Sequence, residues 1–289
     1  MNIPNQLVES INNGRCVIFV GSGLSSRLFT KLGKKYPTWS GLLQAFLDYS
    51  FHYDLIEKSE AEMLCEMIKK GNLTMTAQIL RDKANDTEFE EFLAGIFRND
   101  NRFDSIHDSI MNLPFSFVLT TNYDAILECV FSYKYNKPIP TYTNLQISSV
   151  NNAISKKEYF LFKIHGTYEQ LNTIVLTKND YQALYYNRAY INILKNIFTN
   201  FSVLFVGFSY SDPDIEFIVS ELSHEFAANN RMHYLLSSEK TYNSLEQEYM
   251  KKKERLTIIE YENADGSHSG VDFFFKELSL KVKKKLLLY

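Results

Sequence analysis

The chain has 289 residues, 45% of them hydrophobic and 22% charged, with a formal net charge of −3. That balance supplies a sizeable core, excludes a disordered polymer, and lacks the net basic footprint of a non-specific nucleic-acid binder, so direct nucleic-acid binding is not expected. Cys16, Cys65 and Cys129 lie far apart with no C-x-x-C pair, which excludes a disulfide framework and a four-thiolate metal site. The start at Met1 shows no basic-then-apolar leader, and no apolar run reaches the ~18 residues of a membrane span. A soluble, cytoplasmic protein is expected.

A short helix is expected over 7–11, then a strand over Cys16–Val20 that is apolar throughout. Continuous apolarity, rather than alternation, marks a strand buried on both faces in a parallel sheet covered by helices. From Trp39 to Leu113 only helical periodicity recurs, with helices expected over 42–51, 60–80 and 89–97. A stretch that long exceeds an ordinary crossover. We therefore expect a single domain made of a core (about 1–38 and 114–289) and an all-helical insert (about 39–113). Beyond it come a strand over 115–119 and a helix over 125–131. Residues 133–157, with Pro138, Pro140 and many Asn and Ser, read as a long loop or small hairpin. Strands follow over 159–162, 203–206, 233–236 and 256–259, with helices over 181–198, 215–226 and 273–287. Such alternation spells βαβ units, and hence a Rossmann-like, doubly wound, mostly parallel α/β sheet. The lysine runs at 251–253 and 283–285 read as exposed helix faces or ends.

Ligands of open α/β sheets bind beyond the carboxyl ends of the strands, and unusual residues stand at four such ends here. The first is Gly21-Ser22-Gly23-Leu24-Ser25-Ser26, where glycines permit a tight turn and a close approach of backbone N–H groups to a pyrophosphate. A bare structural turn is the competing reading. The fingerprint of hydride-transferring enzymes would need a third glycine at Ser26 and an acid ending a second strand about 20 residues on; the chain has neither. The second is Thr120-Thr121-Asn122-Tyr123-Asp124, before a helix. Asp124 reads equally well as the cap of that helix; Asn122 is then left over, because one helix start needs one cap. The third is Lys163-Ile164-His165-Gly166, which sets an imidazole at a strand end, and imidazole suits acid–base work near neutrality. The other histidines (52, 107, 224, 233, 268) have no partner motif and read as structural. The fourth is Gly207-Phe208-Ser209-Tyr210-Ser211-Asp212-Pro213-Asp214. There the aspartates and Pro213 make a helix start, leaving Gly207 and Ser209 as candidate ligand contacts.

In this order and spacing, G-S-G-L-S, T-N-Y-D, I-H-G and V-G-F-S-Y-S-D-P-D resemble the SIR2 (sirtuin-like) superfamily, most closely the SIR2-like NADase domains of bacterial anti-phage defence. The resemblance implies NAD+ as substrate, with its pyrophosphate on Gly21, Ser22, Gly23 and Ser25. It implies Asn122 on the nicotinamide ribose and a water, Asp124 on the carboxamide with Thr121 beside it, His165 as catalytic base, and Gly207 and Ser209 on the adenosine side. The paired C-x-x-C thiolates of zinc-bearing, protein-deacylating sirtuins have no counterpart, so zinc is not expected. The implied activity is NAD+ glycohydrolysis to nicotinamide and ADP-ribose, as the effector of an anti-phage, abortive-infection system. The alternatives are an NAD-dependent protein deacylase and a non-catalytic nucleotide-sensing or assembly subunit. Unchecked NAD+ loss would kill the host, and the sheet and insert use up the chain. Control in trans is therefore expected, by a protein encoded nearby, a nucleotide trigger, or homo- or hetero-oligomerisation.

Overall fold

The computed structural model describes residues 1–30, 33–98, 102–208 and 231–283. Its centre is a seven-stranded sheet of order β3-β4-β2-β1-β5-β6-β7. The strands are β1 (Cys16–Val20), β2 (Val118–Thr120), β3 (Thr141–Thr143), β4 (Leu161–Lys163), β5 (Ser202–Val206), β6 (His233–Ser238) and β7 (Leu256–Tyr261). Every neighbouring pair is parallel. The sheet is therefore parallel and doubly wound, as the apolar strand runs imply.

Because successive strand residues face opposite sides, the sheet feeds two cores. Ile18, Val20, Val118, Leu161, Leu204 and Leu236 lie in one, with helices Asn5–Asn12, Ser105–Asn112, Ile126–Tyr135 and Gly270–Lys281 over them. Val17, Phe19, Leu119, Phe162, Val203 and Phe205 lie in the other, with helices Ile147–Lys156, Lys178–Tyr186 and Arg188–Asn200. A third core is built by helices Trp39–His52, Lys58–Lys69, Leu73–Lys83 and Asp86–Phe97. It closes onto the sheet loops through Tyr123, Ile126, Ile174 and Leu176. Helix Ser105–Asn112 packs in the first sheet core, as an ordinary crossover does.

Three sequence expectations are corrected. Residues 133–157 are neither loop nor hairpin: Thr141–Thr143 is a parallel edge strand beside β4, followed by the helix Ile147–Lys156. Its Ile147, Val150 and Ala153 supply a buried stripe, which the Asn and Ser between them, poor helix formers, conceal in sequence. The helix expected over 60–80 is two, broken where Gly71 takes a φ of +80°. The helix expected over 181–198 is also two. Asn187 restarts it by accepting the Ala189 and Tyr190 amides at 3.1 and 3.2 Å. The helix expected over 215–226 and the motif from Ser209 to Asp214 lie outside the described residues.

The chain leaves β1 for β2, β3 and β4 on one side and returns with β5 on the other. That reversal opens a crevice beyond the carboxyl ends of β1 and β5, where ligands of such sheets bind.

Candidate active site

The ends of β1 and β5 are sewn together backbone to backbone. The Gly21 amide donates to the Val206 carbonyl and the Gly23 amide to the Gly207 carbonyl, both at 2.9 Å. Gly207 has a φ of +77°, and a Cβ on Gly21 or Gly23 would stand 2.5 or 2.8 Å from its carbonyl oxygen. The glycines are thus required by the close approach of two strand ends.

Ser25 ends the single helical turn Ser22–Ser25 and is buried. Its hydroxyl donates to Asp124 Oδ2 at 2.8 Å and accepts from Asn122 Nδ2 at 3.0 Å. Because that hydroxyl spends its one proton on the carboxylate, the atom facing it on Asn122 must be the amide nitrogen. Nδ2 also donates to the Gly21 carbonyl at 3.3 Å. Asn122 is thereby locked by the β1 loop, and it caps no helix. Its buried Oδ1 has no hydrogen-bond partner among the described residues. An acceptor in that condition is costly unless a ligand or water donates to it. Asp124 does serve the helix start, accepting the Ile126 amide on Oδ1 at 3.1 Å.

His165 lies two positions beyond β4 and is 3% exposed. Its ring meets Tyr181 edge-on at 5.3 Å and 86°. Gly166 then turns the chain at a φ of +81°, and a Cβ there would lie 2.2 Å from the Thr173 carbonyl oxygen. The H-G pair is therefore one unit: the glycine folds the following loop back so that the Val175 amide reaches the His165 carbonyl at 3.1 Å.

Ser22, Ser25, Thr121, Asn122, Asp124 and His165 converge on one cavity. An aromatic wall completes it: Tyr36, Thr38, Trp39, Leu42, Phe97 and Tyr181 come from outside the four motifs, and Tyr123 from the second of them. Trp39 and Tyr181 stand 6.0 Å apart. Gly23, Gly207 and Phe208 line an adjoining groove that shares Ser22 and the stretch Tyr36–Trp39. Gly21 contributes through the carbonyl that holds Asn122; Ser209 lies outside the described residues. The aromatic wall was not found by sequence reasoning. The one available signal is that the only tryptophan of the chain opens a helix.

Among the described residues no group of three or more His, Cys, Asp or Glu side chains is placed to hold a metal, and no helix is long and apolar enough to cross a membrane.

Residues 116–259 match the family model described as "SIR2-like domain". The chain is 28% identical over 260 residues to NAD(+) hydrolase ThsA of Bacillus cereus, an alignment covering 86% of this chain and 49% of that protein. With NAD(+) hydrolase ThsA of Cytobacillus dafuensis it shares 24% over 263 residues, covering 89% and 48%. With Defense-associated sirtuin 2 of Bacillus subtilis it shares 27% over 228 residues, covering 74% and 20%. The chain thus spans half or less of the length of these relatives. Parallel sheet, glycine-sewn strand ends and family match agree: the chain carries a SIR2-like domain over residues 116–259.

Proposed function

We propose that the chain hydrolyses NAD+ to nicotinamide and ADP-ribose as the effector of an anti-phage, abortive-infection system. The observation that carries this reading is the convergence of Asn122 and His165 on one cavity, with Asn122 Oδ1 buried and unmatched. Relatives named NAD(+) hydrolase ThsA and Defense-associated sirtuin 2 support the substrate and the setting.

Few groups are needed because nicotinamide is cationic in NAD+ and departs neutral. Ordinary glycosidases must protonate their leaving oxygen and so need a second, acidic group; here one base is enough. The bond from C1′ to the pyridinium nitrogen breaks and its electron pair neutralises the ring. A water oxygen bonds to C1′, and His165 takes the water's proton. Asn122 Oδ1 accepts a hydrogen bond from the ribose or the water, and the fixed dipoles of the cavity stabilise the developing oxocarbenium charge. Gly21, Ser22, Gly23 and Ser25 hold the pyrophosphate, Thr121 and Asp124 serve the carboxamide, and Gly207 the adenosine, a part that the resemblance also gives to Ser209. In this reading the insert over 39–113, on a core of 1–38 and 114–289, supplies Trp39, Leu42 and Phe97 to the cavity, while its last helix, Ser105–Asn112, belongs with the first sheet core. Hydrolysis is held off until a trigger arrives in trans, through a partner protein, a nucleotide or assembly.

The test is NAD+ consumption with product identification for wild type, Asn122→Ala and His165→Ala, with and without proteins encoded nearby. Nicotinamide and ADP-ribose should appear with wild type, and each variant should lose at least about 100-fold in kcat. Intact NAD+ under every activating condition, despite normal binding, overturns the reading.

A further inference from the structure

Lys163, the last residue of β4, is 0% exposed. Its ammonium reaches the Asp124 carbonyl at 2.5 Å, Glu128 Oε1 at 2.8 Å and the Tyr123 carbonyl at 3.4 Å. A lysine ammonium has three protons, so these three oxygens use all of them. The place is an unusual one for a cation. Glu128 is in the first turn of the helix Ile126–Tyr135, where the helix dipole disfavours positive charge, and a buried charge is tolerated only when it is fully hydrogen-bonded. The two carbonyls that reward it belong to the turn Asn122–Asp124, whose backbone leaves β2 and enters that helix. The Tyr123 carbonyl also accepts the Tyr168 amide at 3.2 Å and the Thr167 hydroxyl at 3.4 Å, so the lysine completes a clamp between the β2 turn and the loop after His165.

We infer that Lys163 is a positioning residue: its ammonium bonds to the Tyr123 and Asp124 carbonyls hold the Asn122 turn in register with the strand that carries His165. The kinetic half of this inference rests on the NAD+ hydrolase reading; the structural half does not. The ion pair with Glu128 is the lesser part, because a glutamine there keeps an oxygen acceptor for the ammonium, while the two bonds that fix the turn go to backbone carbonyls.

The experiment compares wild type, Lys163→Met and Glu128→Gln by hydrogen exchange over residues 121–126 and by NAD+ kinetics with independently measured NAD+ binding. Methionine keeps the apolar stem and loses every donor. Lys163→Met should speed exchange over 121–126 about tenfold or more while β1 and β5 stay protected. It should lower kcat by roughly tenfold to a hundredfold with NAD+ affinity within about threefold, the signature of misplaced reacting groups. Glu128→Gln should remain within about threefold of wild type in exchange and rate. Wild-type exchange over 121–126 in Lys163→Met overturns the inference, as does a Glu128→Gln loss as large as that of Lys163→Met. If Lys163→Met does not fold, Glu128→Gln decides: retained turn protection supports the clamp, and a loosened turn overturns it. If wild type leaves NAD+ intact, the hydrolase reading fails and the exchange comparison still decides the role of Lys163.

Discussion

At His233 the ring Nδ1 accepts the Val203 amide at 3.2 Å, joining β6 to β5. Burial, with Arg231 adding a smaller repulsion, pushes its pKa down to about 4. The folded value lies below the ordinary 6.5, so between these values the unfolded chain binds the proton more readily. The stability contributed by the neutral ring is therefore complete above pH ~6.5 and is lost as pH falls toward 4, with a slope of at most about 1.4 kcal/mol per pH unit. Asp104 acts in a different window. Burial alone would raise its carboxyl, but the His107 hydrogen bond and charge and the Arg27 guanidinium hold it well below the usual carboxylate range; its contribution is lost only below about pH 4. Urea unfolding at pH 7 and pH 5 should show that His233→Gln reduces the pH-dependent loss of stability by about 2 kcal/mol; an unchanged difference would mean that the ring does not titrate in this window.

Elements place these residues by how they end. Gly166 is the sharpest instance, because its positive φ, and the Thr173 carbonyl oxygen 2.2 Å from where a Cβ would stand, leave no room for any side chain. Gly166→Ala should destabilise the fold by about 1–3 kcal/mol, from left-handed strain and from displacing the loop that folds back on His165. A chain of this size should then melt several degrees lower, at roughly 2–4 °C per kcal/mol, and a melting temperature equal to wild type would contradict the geometry. Gly14 also has a positive φ, of +62°, but meets nothing within 4 Å, so Gly14→Ala should carry only the backbone strain and serves as the control.

Across the whole molecule, the cavity is where three cores meet. The two sheet cores set the strand ends, and the helical core brings up Tyr36, Trp39, Leu42 and Phe97. Because Trp39 is the only tryptophan among 19 tyrosines and lines the cavity, fluorescence excited selectively at the indole, beyond tyrosine absorption, reports the site. Adding NAD+ or nicotinamide mononucleotide should quench or shift Trp39 emission saturably, and Trp39→Phe should abolish the signal. Saturable binding measured by calorimetry with no change in emission would place the ligand elsewhere.

Local residue patterns suffice for six of the seven strands and for the chemical identity of their ends. The strands over Cys16–Val20 and Ser202–Val206 are legible because burial on both faces demands uninterrupted apolar residues, and the punctuation after them (Gly21, Asn122, His165, Gly207) marks where a parallel sheet exposes its ligand edge. Helix breaks at Gly71 and Asn187 are local signals that apolar periodicity overrides, and the edge strand Thr141–Thr143 is too short and too polar to register. The rest comes from the packing of distant segments. Packing turns the Ser25 hydroxyl so that Asn122 presents Nδ2 to the β1 loop and leaves Oδ1 unmatched. It brings Trp39 and Phe97 to the cavity from another core, and it gives Lys163 the carbonyls of Tyr123 and Asp124. These contacts join residues distant in the chain, and their partners depend on which strands are neighbours. Periodicity and spacing report only what a residue's own element requires of it, so a buried lysine at the end of an apolar strand has no readable purpose until the turn it holds lies beside it.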